Sequence, residues 1–241
     1  MEYRFTAIML RKREVGETDR LYTFYSYEQG KVTAIAKGVR KAEAKLASSL
    51  ETATVAEIMV ARTRGIGKIT GAVLEQSFPG FHRAHLLLRE TTRLLASVDR
   101  LVEPEEKDEL LFLLLKKYLE LAEWVAAEGR DIRQGRLLTE ATTFQMFALL
   151  GYQLELGRCS VSQTRLSTGD RFFMSFERGG IVSAAHAHEV RDAQPISENA
   201  IKTLRLFATQ SLDQIPKIVL DDQTLEELTR FRTAYLRWVT N

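Results

Sequence analysis

In this 241-residue chain, the residues that point most clearly to a chemical role are cations clustered near the N-terminus. The segment 31–45 contains five lysines and arginines and a single acid, Glu43. Residues 1–80 carry 13 Lys and Arg against 9 Asp and Glu, whereas residues 81–241 carry 21 against 23. Because the net charge of the whole chain is only +2, the distribution of charge is more informative than the total. Clustered cations bind phosphates, and they also occur in the solvated loops of ordinary domains.

Aromatic residues lie immediately before this segment, at Tyr22, Phe24, Tyr25 and Tyr27. Aromatic rings exposed on a strand stack on nucleobases while nearby cations contact the phosphates. The alternative is that the same rings fill a hydrophobic core, and the sequence leaves both interpretations open. Arg62, Arg64 and Lys68 join such a binding surface if their loop lies on the same side of the fold.

Patterns for other chemistries are weaker. The segment Gly65-Ile66-Gly67-Lys68 lacks the earlier glycine and the following Ser or Thr of a phosphate-binding Walker loop, so it predicts a hairpin turn. His82 and His85 are three residues apart on a predicted helix without a nearby acidic or cysteine partner, which favours a surface pair over a metal site. No serine-nucleophile elbow or zinc-protease motif is present. We therefore expect neither an enzyme nor a cofactor.

The composition is that of an ordinary globular chain, with 45% hydrophobic and 27% charged residues. The longest run of Leu and Phe, residues 110–115, is far shorter than the roughly 20 apolar residues that cross a bilayer. No signal peptide is evident, and the lone Cys159 cannot form an internal disulfide. We expect a cytoplasmic protein with no membrane partner.

The first 80 residues have the period-two alternation of β-strands. Gly30 ends a turn, and in the segment that follows it the odd-numbered residues from Lys31 to Lys37 share one face. The predicted strands are 5–15, 21–27, 31–39, 55–61 and 68–75. Five short strands in about 75 residues predict a small closed barrel, of which the OB-fold is the commonest form.

From residue 81 the apolar residues recur with a helical period. Pro104, followed by acidic residues, is predicted to open the second helix, and Gly129 to end it. The predicted helices are 81–101, 104–128, 131–152, 195–212 and 222–239. Glycines and phenylalanines in residues 155–194 predict a compact, turn-rich module inserted among the helices. The expected fold class is α+β, with a barrel domain at 1–80 and a helical domain at 81–241.

Three motifs in the predicted barrel resemble the RecO family of bacterial recombination mediators. They are Glu17-Thr18-Asp19-Arg20-Leu21, Glu28-Gln29-Gly30-Lys31-Val32 and Ala36-Lys37-Gly38-Val39-Arg40-Lys41. That family has an acidic-Asp-Arg start to its second strand, a turn ending in Gly-Lys and an Ala-Lys-Gly element before a basic stretch. The resemblance extends over nearly the whole chain, since the segment 46–50, Gly151-Tyr152, Phe173 and Gly179-Gly180 agree as well.

The resemblance implies an OB-fold N-terminal domain, a helical C-terminal domain and no covalent catalysis. Similar proteins bind single- and double-stranded DNA and anneal complementary strands that are coated by single-strand-binding protein. With RecR they help to load RecA, and the acidic C-terminal tail of single-strand-binding protein docks on some members. By position, the family's basic element falls on Lys31, Lys37, Arg40 and Lys41. Charge alone adds the DNA-binding candidates Lys45, Arg62, Arg64 and Lys68.

The module departs from the family in its metal ligands. Many relatives hold zinc there with two Cys-x-x-Cys pairs, whereas this chain has Cys159-x-x-Ser162 and Ser183-x-x-His186. A structural zinc requires four thiolate or imidazole ligands, and His188 is the one further candidate. We predict that no zinc is bound in this degenerate zinc-finger-like module. Apolar burial is then expected to hold it together, through Phe172, Phe173, Phe176 and Ile181.

The function that these features predict is that of a non-catalytic recombination mediator, located in the cytoplasm in association with the nucleoid. Two alternatives stay open, an OB-fold RNA-binding protein and an adaptor whose barrel only docks other proteins. In the helical half, Lys116, Lys117 and Arg136 are better explained as solvated helix faces than as the rim of a groove for an acidic tail.

Overall fold

Residues 2–76 contain a closed β-barrel in the computed structural model, which describes residues 2–39, 50–62, 65–167 and 169–240. The strands are β1 (Glu2–Val15), β2 (Asp19–Ser26), β3 (Gly30–Ala36), β4 (Val55–Ala61) and β5 (Gly67–Gln76). Their order around the barrel is β1-β2-β3-β5-β4, and β4 pairs with β1 to close it. The predicted five-stranded barrel is therefore confirmed, and the strand ends differ from the predicted ones by three residues at most.

Alternate residues of each strand fill the barrel interior. Tyr22, Phe24 and Ala34 point inward and are at most 1% exposed. Phe5 meets Phe24 edge-on, with ring centroids 6.3 Å apart. Full burial of a side chain of this size stabilises the fold by about 1.5–3 kcal/mol. This gain explains why every second residue of these strands is apolar and points inward. The odd-numbered residues of β2 and β3 consequently form the outer face.

The chain divides into two compact units, Met1–Gly135 and Arg136–Asn241. The first unit contains the barrel together with helices α1 (His85–Leu101) and α2 (Glu109–Ala127). The buried stripe of α1 includes Leu87, Leu94 and Val98. The boundary that the sequence suggests at residue 80 lies between β5 and α1, within this unit.

The start of α2 corrects one prediction. Pro104 does not open the helix; Asp108 caps it, and its carboxylate accepts hydrogen bonds from the N–H groups of Leu110 and Leu111. The loop before α2 is bound to the edge of β3. Pro104 forms a β-bridge with Lys31, and the Glu105 N–H donates to the Lys31 backbone oxygen at 2.9 Å. A contact with a strand edge thus outcompetes the local preference of proline for a first helical turn.

The second unit is built from α3 (Ile132–Leu149), which begins just before it, α4 (Glu198–Thr209), α5 (Asp222–Val239) and a small sheet. The sheet lies in the inserted module and has the order β7-β6-β8, with β6 (Phe172–Ser175), β7 (Gly180–Ser183) and β8 (Gln194–Ile196). Pro195 belongs to β8, opposite Phe173, and not to the fourth helix as predicted. That helix begins after Ser197, whose hydroxyl accepts a hydrogen bond from the Ala200 N–H.

A buried ion pair joins α3 to α5 inside the second unit. The side chains of Glu140 and Arg232 are 2% and 7% exposed, and the Arg232 Nε lies 2.9 Å from a Glu140 oxygen. Thr229 donates to the same carboxylate at 2.9 Å. Loss of one partner from such a pair leaves a buried charge uncompensated, which typically costs about 3–5 kcal/mol. The pair therefore fixes the register of the two helices.

Among the residues described, no helix combines the length and the apolar character that a membrane crossing requires.

Candidate nucleic-acid interface

Helices α1 and α2 cover part of the outer face of the barrel. The cross-strand neighbours Ile8 and Tyr25 point away from the barrel interior, yet both are fully buried. The Tyr25 hydroxyl donates to the backbone oxygen of Asp108 at 3.2 Å, and burial raises the pKa of this tyrosine to about 12. Tyr27 packs edge-on against Phe112 of α2, with ring centroids 5.5 Å apart. We call this region the covered half, defined by Ile8, Tyr25, Tyr27 and Lys31.

Lys31 is a predicted DNA-binding residue that the structure places on the covered half. Its side chain is 13% exposed, and its ammonium group donates to the backbone oxygen of Asp99 in α1 at 2.8 Å. The Asp99 carboxylate lies 4.0 Å from this ammonium group and 3.1 Å from the Arg11 guanidinium. The charge of Lys31 is therefore used to attach the barrel to α1.

The rest of the face is a row of neighbouring residues on four strands, which we call the open half. It runs across the strands through Arg13, Leu21, Ile35 and Lys68. Leu21 and Ile35 are half-buried, whereas Arg13 and Lys68 are exposed at the two ends of the row. Three strand spacings separate these ends by about 15 Å. The surface is thus an aliphatic strip with a cation at each end.

Lys37 adds a third cation beside the open half, two residues beyond Ile35 and exposed to solvent. Arg13, Lys37 and Lys68 form no ion pair with any residue that the structure describes. Other cations of the barrel are paired, such as Arg4 with Glu57. The structure therefore brings two of the predicted cations, Lys37 and Lys68, to one surface, where neither pairs with an acid of the described ranges.

A β-bulge explains why sequence reasoning missed Arg11 and Arg13. The register between β1 and β2 shifts between Met9 and Arg11. Before the shift the even-numbered residues of β1 face outward, and after it the odd-numbered ones do. Uninterrupted alternation from Ile8 assigns Lys12 to the outer face instead, but Lys12 pairs with Glu51. The extra residue is a leucine, which gives no signal of a bulge in the sequence.

The acidic residue Asp19, which lies beside this basic surface, holds a turn of the backbone in place. Its carboxylate accepts hydrogen bonds from the Gly38 N–H at 2.8 Å and from the Thr18 hydroxyl at 3.0 Å. Gly38 has a φ of 66°, a left-handed conformation that glycine adopts without a Cβ penalty. The carboxylate therefore holds the turn that presents Lys37.

Arg62 begins the loop between β4 and β5, which are antiparallel neighbours, so the predicted hairpin is confirmed. Its Nε donates to the Gly65 oxygen at 2.8 Å, and its guanidinium lies 2.8 Å from a Glu105 oxygen. The Arg62 side chain is 49% exposed, so the guanidinium is accessible despite this ion pair.

Of the two interpretations that the sequence left open for the aromatic residues at 22–27, the structure supports core packing for three. Tyr22, Phe24 and Tyr25 are buried, the first two in the barrel interior and the third beneath the helices. The Tyr27 hydroxyl donates to Glu109 of α2 at 2.9 Å. Three of the rings are thus buried and Tyr27 is half-buried against α2, while aliphatic side chains lie on the open half.

The remaining predicted site residues give no further geometry. Four of the cations, Arg40, Lys41, Lys45 and Arg64, lie outside the described residues. Among the helical candidates, Lys116, Lys117 and Arg136 are half-buried. His85 is exposed at the start of α1, and the side chain of His82 lies outside the described part of the chain.

The positions that correspond to zinc ligands hold a hydrogen-bonded thiol. The buried Cys159 sulfur accepts hydrogen bonds from the N–H of Ser183 at 3.4 Å and from its hydroxyl at 3.6 Å. Burial opposes ionisation of the thiol, but hydrogen bonds from Ser162 and Ser183 outweigh it and lower the pKa of Cys159 to about 6. His186 bonds to Glu189 through Nδ1 at 2.8 Å.

One thiol among hydroxyl groups does not fit the four-ligand set of structural zinc. In the described ranges, no group of three or more His, Cys, Asp or Glu side chains is arranged to hold a metal ion. The absence of zinc stays a prediction, which elemental analysis of the purified protein checks. Apolar burial in the module is as expected for Phe172, Phe176 and Ile181, while Phe173 packs half-buried against a small cluster centred on Cys159.

The chain matches two family models in sequence. The model described as Recombination protein O N terminal matches residues 1–78, and the model described as Recombination protein O C terminal matches residues 92–240. The first match covers the barrel strands, and the second covers α2 to α5 with the inserted module.

Curated relatives are similar over nearly their whole length. A DNA repair protein RecO from Dehalococcoides mccartyi is 29% identical over 239 residues, which are 99% of this chain and 90% of the relative. A DNA repair protein RecO from Thermoanaerobacter is 22% identical over 96% of this chain and 90% of its own length. One from Bacillus mycoides is 24% identical over 95% of this chain and 88% of its own length.

Proposed function

The chain belongs to the RecO family, and from this premise we propose that it is a DNA-binding mediator of recombinational repair. It binds single- and double-stranded DNA and anneals complementary strands that are coated by single-strand-binding protein. With RecR it assists the loading of RecA. The protein itself makes and breaks no covalent bond, and it requires no cofactor.

The observation that carries this proposal is the open half of the barrel. Arg13, Lys37 and Lys68 are exposed and form no ion pair with a described residue, so no ion pair within the described ranges must be broken before they contact phosphates. Their contacts release counterions from the DNA, which supplies the free energy of binding. Since phosphate contacts carry no base information, the surface accepts strands of any sequence.

Annealing follows from the same charges. Two complementary strands repel each other through their phosphates, and cations that neutralise phosphates on both strands lower this repulsion. The bases of the two strands then remain free to pair, because the aliphatic strip formed by Leu21 and Ile35 offers no hydrogen bonds to base edges. The barrel thus promotes annealing by bringing strands together.

The protein partners are proposed from membership of the family. They are RecR, the acidic tail of single-strand-binding protein and, indirectly, RecA. Association with the nucleoid in the cytoplasm follows from DNA binding. The proposed DNA contacts are Arg13 and the predicted cations Lys37, Arg40, Lys41, Lys45, Arg62, Arg64 and Lys68. Lys31, whose ammonium group is bound to α1, secures the barrel that presents them.

Salt dependence tests the binding step. Fluorescence anisotropy of a labelled single strand is measured at several salt concentrations. With about five phosphate contacts, we expect log K to fall with log salt at a slope of about −3.5. A slope near zero would exclude the electrostatic mechanism.

An annealing assay with and without single-strand-binding protein separates the three candidate functions. A mediator accelerates annealing of both bare and coated DNA strands. An RNA-binding protein prefers RNA over DNA of equal sequence, and an adaptor binds its protein partner without binding DNA at low salt. Either of the last two outcomes would replace the proposed function.

A further inference from the structure

A cavity of about 420 Å³ opens at the place where β3 and β5 separate. These strands pair only at Ala34–Gly67 and Ile35–Lys68. Nearer the start of β3, Lys31 pairs with Pro104 instead. Between the two pairings, Val32 and Thr33 have no neighbouring strand on this side within the described residues. The gap leads from the outer surface towards the barrel interior.

The lining of the cavity combines apolar and polar residues. Tyr3, Phe5, Val32 and Val60 are apolar, and Tyr3 and Val32 are only partly buried against the barrel core. Gln29, Lys31, Thr33 and Arg62 contribute polar groups. Its volume is within the range of about 300–1,000 Å³ that is usual for small-molecule pockets, and a nucleobase fits within it.

An anion already lies in the lining of this cavity. The Glu105 carboxylate lies 2.8 Å from the Arg62 guanidinium, and both residues line the cavity. Glu105 has a φ of 64°, a left-handed conformation that is unfavourable for a residue with a side chain. Its loop lies close to β3, since a Cβ at Gly30 would overlap the backbone oxygen of Glu106. The Glu105 carboxylate is thus delivered to Arg62 by a loop held against β3.

We propose that this cavity is a subsite for one nucleotide of a bound single strand. The base enters the cavity beside Tyr3, and its phosphate replaces the Glu105 carboxylate on Arg62. Guanidinium groups bind carboxylates and phosphates in the same forked geometry, so the resident ion pair shows that an anion is accommodated there. Lys68 follows Gly67 of the cavity wall and receives a neighbouring phosphate. The inference rests on the proposed DNA binding. It adds a contact with one base, and it identifies the Glu105 carboxylate as a group that competes with the phosphate for Arg62.

A nucleotide suits the site better than an acidic peptide. An acidic side chain would use the guanidinium but would leave the aromatic and aliphatic part of the lining without a partner. A nucleotide supplies a planar apolar group and an anion together, and base stacking on an aromatic ring does not require a particular sequence.

Substitution of Glu105 tests the proposed contact between a DNA phosphate and Arg62. We expect Glu105→Gln to tighten single-strand binding about 2- to 5-fold, because a surface ion pair of modest strength no longer competes. Glu103→Gln is the matched control, since it removes the same charge from the same loop at a residue that does not line the cavity. In an Arg62→Gln background, Glu105→Gln should have no more effect than the control. An equal gain from both glutamine variants would overturn the contact.

Cross-linking tests the base in the cavity. A single strand carrying 5-iododeoxyuridine is irradiated with the full-length protein, and the attached peptide is identified by mass spectrometry. We expect attachment at Tyr3, and its loss in Tyr3→Leu while binding persists. Attachment only at aromatic residues outside the cavity would overturn the base contact.

The two proposals fail in different ways. If the wild-type protein binds no DNA at any salt concentration, the proposed function fails and this inference with it. If the wild type binds DNA, but Glu105→Gln matches Glu103→Gln and Tyr3 does not cross-link, only the inference fails.

Discussion

Lys31 lies at the start of β3 and Lys37 directly after its end, yet their surroundings are opposite. The Lys31 ammonium group is held by Asp99 of α1, whereas Lys37 is exposed and has no partner among the described residues. The alternation of the strand is the same at both ends. Helix packing, and not the strand, therefore decides which cation can meet a ligand.

The largest expected effect comes from removing the open half. Replacing Arg13, Lys37 and Lys68 together by Ala removes three phosphate contacts, each worth about 0.7 in the log–log salt slope for single strands. The slope should become shallower by about 2, and affinity at low salt should fall about 10- to 100-fold. Anisotropy titrations at several salt concentrations measure both quantities.

Paired cations of the barrel provide the matched control for this variant. Replacing Arg4, Lys12 and Arg20 by Ala removes the same charge from residues that already contact Glu57, Glu51 and Glu14. We expect a much smaller loss of affinity. If both triple variants lose DNA equally, net charge rather than the open half governs binding.

A smaller effect, on stability instead of binding, is expected at the covered half. Lys31→Met keeps the aliphatic stem but removes the donor to Asp99, which should lower the free energy of unfolding by about 1–3 kcal/mol. Urea denaturation measures this loss. The Lys31 side chain also lines the proposed nucleotide cavity, but its ammonium group is held by Asp99, so DNA affinity should fall less than it does in Lys37→Met. A loss of affinity as large as that of Lys37→Met would contradict the division into two halves.

The smallest effect concerns the pH dependence of the covered half. Tyr25 has a pKa of about 12 in the fold, raised from its usual value near 10 by burial. Its neutral form therefore contributes stability that is complete below pH 10 and is lost as the pH rises towards 12.

Tyr25→Phe isolates this contribution. At pH 8 the variant should be less stable by about 1 kcal/mol, because the hydrogen bond to Asp108 is lost. The difference in free energy of unfolding between the variant and the wild type should narrow above pH 10. In that range the wild type loses the stability that neutral Tyr25 contributes, whereas the variant has no such group to titrate. Tyr235, with a similarly raised pKa, titrates in both proteins and cancels. A constant difference between pH 8 and 11 would show that Tyr25 does not titrate with unfolding.

Much of the barrel could be predicted from its sequence, because period-two alternation is a local property. Val55–Ala61 was predicted to the residue, and the alternation of β3 placed Lys31 and Lys37 on one face. Lys68 was predicted from charge alone, on the condition that it lies on the same side as Lys37; the pairing of Ile35 with Lys68 meets this condition. The motif that contains Asp19 has a structural role, since this carboxylate holds the Gly38 turn next to Lys37.

Other features depend on contacts between distant residues and left no local signal. The bulge at Leu10 reverses the alternation of β1 and brings Arg13 to the open half. The loop at Pro104 follows the edge of β3 instead of starting a helix. The cavity exists because β3 pairs first with Pro104 and then with β5. No residue type in the sequence predicts this change of pairing partner.

The covered half also determines how this protein can be divided for experiments. A fragment ending at residue 80 would lack α1 and α2, and Ile8 and Tyr25 would become an apolar patch on its surface. The edge of β3 at Lys31 would lose the backbone of Glu105 as well. Exposed strand edges beside apolar patches promote self-association. An excised barrel should therefore precipitate or form oligomers, whereas a fragment extended to residue 135 keeps this surface sealed.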